Sequence, residues 1–209
     1  MVDKDIVVIG YSGHAYVAVD ICISMGKKVI GYVDIEEKKQ NPYQLLFWGS
    51  EKNNPSLIQK LSSIDCFISI GNNTDRQKIY TELSTQLIHP ITIIHKTSFI
   101  SPKATIGKGV MVSPQACINT LATIGNAVII NTGAIVEHEC IIGDFSHIAP
   151  GAVICGNVNI GTGTLIGANA VVRPNIKIGN NVIIGAGAVV VKNIPDGSKV
   201  IGNSQIVYK

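Results

Sequence analysis

Branched apolar residues occupy every sixth position between Ile94 and Val190 without a break. The series reads Ile94, Ile100, Ile106, Val112, Ile118, Ile124, Ile130, Val136, Ile142, Ile148, Ile154, Ile160, Ile166, Val172, Ile178, Ile184 and Val190. A small residue usually stands four positions after each of these, and Gly often follows directly. So long a series excludes a chance spacing, and the six-residue period is that of a strand plus a turn. The pattern predicts a left-handed parallel β-helix with three hexapeptides in each coil, Ile or Val pointing inwards and Gly relieving the turns.

The third position of each hexapeptide divides the surface of this β-helix into three columns, because residues one coil apart stack on each other. One column is polar: Lys108, Asn126, Asp144, Thr162 and Asn180. A second is small and uncharged: Pro114, Thr132, Pro150, Ala168 and Ala186. The third contains Pro102, Thr120, His138, Gly156 and Pro174. We expect the polar column to face solvent and the other two to pack against neighbouring subunits, which predicts a homotrimer.

The first part of the chain alternates between strands and helices. Strands are predicted at 5–9, 28–33, 65–70 and 91–94, with helices at 15–25 and at a segment that places Ile79, Leu83 and Leu87 on one face. Such alternation indicates a small parallel sheet. We therefore expect a Rossmann-like α/β domain over 1–93 and the β-helix over 94–209. The polar stretch 36–54 predicts an exposed loop, which Phe47 and Trp48 pack down.

The composition restricts the class of protein. Hydrophobic residues make up 46% of the chain but aromatic residues only 5%, so Ile, Val and Ala have to fill the core. The net charge of +3, without a dense basic cluster, does not favour nucleic-acid binding. The five cysteines lack CxxC spacing, and no signal peptide is evident, which indicates reduced thiols in the cytoplasm. No apolar run reaches the ~18 residues of a transmembrane span.

The turn GYSGH, which begins at Gly10, joins the first strand to the first helix. It is not the GxGxxG dinucleotide motif. Its glycines would still allow a phosphate to approach the backbone N–H groups at the start of a helix. Asp34 closes the second strand, where a carboxylate often contacts a ribose or a base. A plain turn is the alternative for each feature, and a nucleotide-bearing ligand is the favoured interpretation.

His138 is an outward-facing histidine between Glu137 and Glu139, which is unusual among Ile, Gly and Ala. Gly156 follows one coil later and is expected to lie directly over His138, where its N–H can stabilise an oxyanion. His147 is half a coil further round, so we expect it to reach the site of His138 only across a subunit interface. A histidine satisfied by its surface neighbours is the alternative.

Four segments resemble a single family over nearly the whole chain. GYSGH, FISIGNNTDRQKIY, INTGAIVEHECIIGDFSHIAPGAVICGNV and GAGAVVVKNIPDG are similar to bacterial sugar-nucleotide acetyltransferases. These are enzymes of the sialic-acid O-acetyltransferase and UDP-4-amino-sugar N-acetyltransferase type. The EHE and IGNN stretches are the most specific parts, and they look most like the enzymes that make UDP-N-acetylbacillosamine or related sugars. The resemblance implies acetyl-CoA as co-substrate, no metal, and a homotrimer with active sites between subunits.

The resemblance also implies roles for individual residues. His138 would be the general base, oriented by Glu139 or Glu137, and Asn131 would contact the acceptor. The acetyl-CoA positions would be His147, Gly156, Ala168 and Ala186. The nucleotide-sugar positions would be Ser12, Gly13, His14, Asp34, Ile35 and Gly71. Two features depart from the family: Ile35 stands where a second acidic residue is common, and the tail IGNSQIVYK replaces a GxPAK-like end.

The expected activity is N-acetylation of the 4-amino group of a UDP-linked amino-dideoxy sugar for bacterial glycan synthesis. The neutral amine would attack the thioester directly, with an imidazole accepting its proton. An O-acetyltransferase acting on sialic acid or another sugar hydroxyl is the main alternative. A γ-type carbonic anhydrase would need three histidines at one metal, and the repeat supplies only His138 and His147. A non-catalytic β-helix scaffold is the other alternative.

Overall fold

The computed structural model describes residues 5–50, 55–202 and 206–208. Its first part is the predicted α/β domain with a parallel sheet. The strand predicted at 91–94 does not join this sheet, because Ile93–Ile94 pairs within the β-helix. The elements of the α/β domain are β1 Ile6–Ile9, α1 Gly13–Ser24, β2 Val29–Val33, β3 Leu46–Phe47, α2 Pro55–Leu61, β4 Asp65–Ile68 and α3 Asn73–Thr85. The strand order is β3-β2-β1-β4. All four residues of β1 are buried, as is typical of a central parallel strand covered on both faces.

The segment predicted as a loop over 36–54 contains strand β3, which pairs with β2 and extends the sheet. The Trp48 ring covers Gly31 so closely that a Cβ there would overlap the indole. The Tyr11 hydroxyl donates a hydrogen bond to Asn41 Oδ1 over 2.8 Å. Aromatic side chains therefore hold this segment against the sheet. Residues 51–54 lie outside the described part.

The helices differ from prediction in two ways. Helix α2 was not predicted, and α3 ends before Leu87, so the apolar face expected there is wrong at that position. Leu87 has a φ of 59° and is 85% exposed, whereas Leu83 is buried. None of the helices in the described residues is long and apolar enough to cross a membrane.

The second part is the predicted left-handed parallel β-helix, built from two-residue strands. They are β5 Ile93–Ile94, β6 Phe99–Ile100, β7 Thr105–Ile106, β8 Met111–Val112, β9 Cys117–Ile118, β10 Thr123–Ile124, β11 Ile129–Ile130, β12 Ile135–Val136, β13 Ile141–Ile142, β14 His147–Ile148, β15 Val153–Ile154, β16 Asn159–Ile160, β17 Leu165–Ile166, β18 Val171–Val172, β19 Lys177–Ile178, β20 Ile183–Ile184 and β21 Val189–Val190. Each pairs in parallel with a strand eighteen residues away, as Ile129 does with His147. The boundary between residues 93 and 94 stays a prediction.

The strands form three sheets, which we call faces 1, 2 and 3. Face 1 contains β5, β8, β11, β14, β17 and β20; face 2 contains β6, β9, β12, β15, β18 and β21; face 3 contains β7, β10, β13, β16 and β19. Strand β22, Lys199–Ile201, extends face 1, and β23, Ile206–Tyr208, pairs antiparallel with it. The last coil is thus closed by a hairpin on face 1.

The interior is filled by the repeated Ile and Val residues, with Ala in the narrow positions. Ile118, Ile148 and Ala152 are all fully buried in this core. The Gly that follows an inward residue allows adjacent coils to approach: a Cβ on Gly161 would lie 2.6 Å from the carbonyl carbon of Gly179. No other residue fits at that distance, which explains the recurrence of Gly at this position.

The three columns predicted from the sequence form the corners between faces. The polar corner lies between faces 3 and 1 and contains Lys108, Asn126, Asp144, Thr162 and Asn180. The alanine corner lies between faces 1 and 2 and contains Pro114, Thr132, Pro150, Ala168 and Ala186. The His138 corner lies between faces 2 and 3 and contains Pro102, Thr120, His138, Gly156 and Pro174.

All five residues of the polar corner are exposed or half-buried, so this corner meets solvent as predicted. Its side chains form a hydrogen-bonded ladder: Lys108 N–H donates to Asn126 Oδ1 and Asn126 N–H donates to Asp144 Oδ1, over 3.0 and 2.7 Å. Helix α3 also packs on this corner, where the Tyr80 and Phe145 rings meet edge-on at 5.4 Å. Polar side chains stand here because corner backbone groups require partners.

Face 1 is partly covered by the α/β domain. Its outward residues Ile93, Met111 and Ile129 are buried in one cluster with Ile21 of α1. The next outward residue along this column is His147. The column therefore places His147 at the edge of the contact between the two domains.

Candidate active site

A cavity of about 420 Å³ lies at the carboxyl ends of β1, β2 and β4. The predicted nucleotide-sugar residues Ser12, Asp34 and Ile35 line it, and Lys38 and Lys78 add positive charge. This edge of a parallel sheet is where ligands bind in related α/β architectures. Gly13, His14 and Gly71 do not line this cavity.

Asp34 organises the rim of the cavity. Its carboxylate accepts hydrogen bonds from Tyr11 N–H (2.8 Å) and Ile35 N–H (2.7 Å), and Lys38 Nζ lies 3.1 Å from Oδ1. These contacts occupy much of the carboxylate, whose side chain is 13% exposed. Ile35, at the mouth of the cavity, is 78% exposed. Sequence reasoning missed Lys38, which lies in the segment treated as a loop.

The N-terminus of α1 is open. Ser12 occupies the N-cap position, but its hydroxyl makes no capping hydrogen bond. Gly13 begins the helix, and a Cβ there would meet no atom within 4 Å. Unpaired N–H groups at a helix N-terminus attract an anion. This turn can therefore hold a phosphate next to the cavity.

A second cluster joins the two domains and contains four predicted site residues. The rings of His14 and His147 lie 6.0 Å apart between centroids. Gly71 stands against His14, since a Cβ on Gly71 would lie 3.7 Å from His14 Cγ. Asn131 Nδ2 donates to His147 Nε2 over 3.1 Å, and Thr132 N–H fixes the amide by donating to Asn131 Oδ1. Among the described residues, His14 Nε2 is buried without a hydrogen-bond partner.

Both histidines of this cluster are held in the neutral form. Burial lowers the pKa of His14 to about 4, with a further effect of the positive charge of Arg76. Burial also lowers the pKa of His147 to about 4, assisted by Arg76 and His14 and opposed by a hydrogen bond to the Gly71 backbone. Because His147 Nε2 accepts from Asn131, its proton resides on Nδ1, toward Gly71.

Sequence reasoning missed Arg76 of α3, which lies near both histidines. It is 1% exposed, and burial lowers its pKa to about 10, so it stays charged at neutral pH. Its neighbours in the segment NNTDRQK are polar. The hydropathy of this segment therefore does not predict that Arg76 is buried. Its burial results from the docking of α3 on the polar corner.

The His138 corner carries a separate acid–base arrangement. His138 Nδ1 lies 3.0 Å from Glu139 Oε2, and Glu137 Oε2 accepts from His138 N–H over 3.3 Å. With Glu139 accepting a hydrogen bond from Nδ1–H, Nε2 is left as the basic nitrogen. The ring lies over Gly156, where a Cβ would come within 2.6 Å of Nε2. The His138 side chain is 53% exposed.

Glu139 has a φ of 61°, in the left-handed region. The equivalent residues in the next two coils are Asn157 and Asn175, which tolerate that conformation better. Leu121, one coil earlier, has the same conformation, so the repeat imposes it at this corner. At Glu139 the conformation accompanies the contact with the His138 ring.

One chain does not bring all predicted residues together. His138 and Gly156 lie at the corner between faces 2 and 3, whereas His147 and Asn131 lie on face 1. Ala168 and Ala186 lie at the alanine corner. In the described residues, no three His, Cys, Asp or Glu side chains are grouped to hold a metal ion.

A cavity of nucleotide type on an α/β domain, joined to a β-helix with an exposed His–Glu pair, defines a hexapeptide-repeat acyltransferase. Residues 5–83 match the PglD N-terminal domain, and residues 157–192 match the bacterial transferase hexapeptide of six repeats. A variant of perosamine N-acetyltransferase from Caulobacter crescentus, solved with CoA and GDP-perosamine, is 30% identical with a TM-score of 0.92. The match covers 98% of this chain and 97% of that one.

The acetyltransferase domain of PglB from Neisseria gonorrhoeae, solved with acetyl coenzyme A, is also 30% identical, with a TM-score of 0.85. That match covers 94% of this chain and 95% of the other. WeeI from Acinetobacter baumannii shares the fold at 24% identity, with a TM-score of 0.80 and coverage of 98% and 99%. The chain belongs to the bacterial sugar-nucleotide acetyltransferase family and is an acetyltransferase. This assignment leaves the carbonic anhydrase and scaffold alternatives without support.

Proposed function

We propose that the protein transfers the acetyl group of acetyl-CoA to the 4-amino group of an amino-dideoxy sugar linked to UDP, for bacterial glycan synthesis in the cytoplasm. The observation that carries the proposal is the similarity over the full chain to an N-acetyltransferase solved with CoA and an amino-sugar nucleotide. The cavity and the His–Glu pair support it, because they provide a nucleotide site and a base.

In this proposal the α/β domain binds the nucleotide sugar. The cavity takes the nucleoside, with Asp34 and Ile35 at its rim. The diphosphate lies at the open N-terminus of α1, next to Ser12 and Gly13. His14 and Gly71 then lie along the path from the cavity to the β-helix.

The acetyl-CoA would lie between two β-helices of a homotrimer. Ala168 and Ala186 are small residues at the alanine corner, where an extended pantetheine arm has room, and His147 and Asn131 border the same side. The His138 corner of a neighbouring subunit would supply the base and the Gly156 N–H. This assembly explains why one chain separates His138 from His147.

The chemistry is a direct transfer. The sugar amine attacks the thioester carbonyl carbon, and His138 Nε2 accepts a proton from that amine while Glu139 holds the opposite nitrogen. The Gly156 N–H stabilises the developing oxyanion. The C–S bond then breaks, and the CoA thiolate takes the proton from His138. The products are the acetamido sugar and CoA thiol.

The test measures CoA release with acetyl-CoA and a panel of UDP-, GDP- and dTDP-linked 4-amino sugars, CMP-sialic acid and free sialic acid. We expect turnover of an amino sugar, with UDP preferred. We expect His138→Ala to lower kcat by ~10²–10⁴-fold, the usual contribution of a general base. Glu139→Gln, which preserves the shape, should show a smaller loss than His138→Ala.

Three outcomes would contradict parts of this proposal. Turnover of sialic acid alone would make the protein an O-acetyltransferase. A preference for a GDP- or dTDP-linked sugar would correct the nucleotide. Near-normal kcat in folded His138→Ala protein would exclude His138 as the base.

A further inference from the structure

Arg76 connects two backbone segments that come from different domains. Its Nε donates to the Ala127 carbonyl over 2.8 Å, and its Nη2 donates to the Phe145 carbonyl over 2.7 Å. Its Nη1 donates to the carbonyls of Ile70 and Gly71 over 3.1 and 3.0 Å. One guanidinium therefore holds two stacked corners of the β-helix and the loop between β4 and α3.

The hydrogen bonds continue along the same corner. Arg76 Nη2 also donates to Asn73 Oδ1 over 2.7 Å, and Asn73 Nδ2 donates to the Gly163 carbonyl over 3.0 Å. Ala127, Phe145 and Gly163 follow each other one coil apart. The first turn of α3 thus satisfies three successive corner carbonyls.

The partners of this buried cation are neutral oxygens. Among the described residues, no carboxylate pairs with Arg76, although burying a charge is expensive without a compensating partner. Docking of two domains is achieved at lower cost by apolar packing, which Tyr80 and Phe145 already provide nearby. A buried cation without an anionic partner is therefore unusual in a contact that serves only to hold two domains together.

The segments that Arg76 holds carry the two buried histidines. The Gly71 carbonyl that it binds belongs to the residue packed against His14. The Phe145 carbonyl that it binds lies two residues before His147, and Ser146 O, one residue before, lies 3.5 Å from Nη2. Movement of either segment would change the spacing of the His14 and His147 rings.

We propose that Arg76 is a positioning residue for acetyl transfer, which fixes His14 of the α/β domain against His147 of the β-helix and so aligns the nucleotide sugar with the acetyl group. This inference rests on the proposed function. Arg76 does not line the nucleotide cavity, and it acts through the two histidine-bearing segments. Its planar fork of donors reaches carbonyls on several sides at once, which the single ammonium of Lys cannot do.

The first experiment compares Arg76→Gln and Arg76→Lys with Lys60→Gln, which removes an exposed charge on α2 away from the cavity. We expect kcat/KM for the sugar nucleotide to fall by ~10²-fold in Arg76→Gln, the effect of a misplacement of about 1 Å. Arg76→Lys should recover only a small part. Lys60→Gln should resemble wild type.

The second experiment does not depend on turnover. Imidazole resonances of His14 and His147, assigned by His→Gln variants, are followed by NMR between pH 8 and pH 5. In wild type we expect both to stay neutral over this range. In Arg76→Gln we expect both to titrate within it, because the positive charge is gone and water enters. Millimolar guanidinium added to Arg76→Ala should restore part of the wild-type behaviour, whereas urea should not.

The outcomes separate this inference from the proposed function. If wild type acetylates none of the sugars, the proposed function fails and the NMR comparison still tests Arg76. If wild type is active and folded Arg76→Gln retains its kcat/KM and its histidine titration, the inference is wrong. If neither Arg76→Gln nor Arg76→Lys folds, Arg76 is a folding residue and the inference is also wrong.

Discussion

His14 and His147 are the residues whose local environment departs most from what their positions in the sequence indicate. Neither was expected to contact the other, since one lies in the first turn of α1 and the other in β14. Burial, assisted by the positive charge of Arg76, lowers the pKa of both rings and keeps them neutral. Neutral imidazoles can donate one hydrogen bond and accept another, which suits binding to a sugar hydroxyl or an amine. Under the proposed mechanism they would orient a ligand, whereas His138 would accept the proton.

The neutral state of these histidines has a consequence for stability. In the unfolded chain each would take up a proton near pH 6.5, but in the folded chain only near pH 4. The stabilisation is therefore complete above pH 6.5 and is lost as pH falls toward 4. We expect the free energy of unfolding to drop by about 2 kcal/mol per histidine between pH 7.5 and pH 5. Urea unfolding at both pH values measures this.

The matched variant for that measurement is the double substitution His14→Gln and His147→Gln. It should be less stable at pH 7.5, because contacts are lost, but its stability should change less between the two pH values. Equal pH dependence in wild type and the double variant would show that other groups cause the acid sensitivity.

At the scale of the element, the coil is the unit that positions the catalytic side chains. Stacking eighteen residues apart puts Gly156 next to His138, so the ring can lie flat over the following coil. The Gly156 φ is not in the left-handed region. Backbone conformation therefore does not require Gly there, and the requirement is the space for the imidazole.

Replacing Gly156 by Ala tests this reading. A Cβ would lie 2.5 Å from His138 Cε1, so the ring has to move. We expect kcat to fall by at least about tenfold, since displacement of a catalytic group by about 1 Å can cost ~10²-fold. The melting temperature should change little because the His138 side chain is half exposed. A large loss of stability, with kcat unchanged in the folded fraction, would contradict this account.

The elements that a short period defines could be predicted from sequence, and those that depend on contacts between distant segments could not. The inward column from Ile94 to Val190 was enough to predict the β-helix and its register. Every coil has the same narrow interior, which an inward Ile or Val fills at the same positions. Strand β3 was missed because only its pairing with β2 and the Trp48 ring over Gly31 stabilise two residues in a polar segment.

For the candidate site, too, only those contacts that follow from the repeat could be predicted from the sequence. Proximity of Gly156 to His138 followed from the period alone. The contact of His147 with His14 did not, because it requires knowledge of which face the α/β domain covers. The outward column Ile93, Met111 and Ile129, which leads to His147, carried that signal. An apolar column on the outside of a solenoid indicates a docked partner.

For the whole molecule, the separation of His138 from His147 makes a single chain incomplete under the proposed mechanism. A homotrimer with three equivalent interfaces would bring the His138 corner of one subunit to the alanine corner of the next. Each site would then contain residues from two chains, and inactive variants could complement each other.

This predicts recovery of activity when His138→Ala and His147→Ala chains are co-expressed in equal amounts. About three quarters of randomly assembled trimers would contain both variants, each with one complete site in three, so we expect about a quarter of wild-type activity. Purification through two different tags, with molecular mass by light scattering, identifies the mixed trimers. Mixed trimers without recovered activity would show that both histidines serve one site within a chain, or none.

The docking of α3 on the polar corner has a further consequence. Because the coils repeat, an α/β domain shifted by one coil would meet a similar row of corner carbonyls. These carbonyls alone therefore do not determine where the domain docks along the β-helix. The corner residues in successive coils are Gly109, Ala127, Phe145, Gly163 and Asn181. Only Phe145 among these five offers a ring to Tyr80. This aromatic contact, together with the apolar outward residues Ile93, Met111 and Ile129, distinguishes one alignment of the α/β domain from those shifted by a coil.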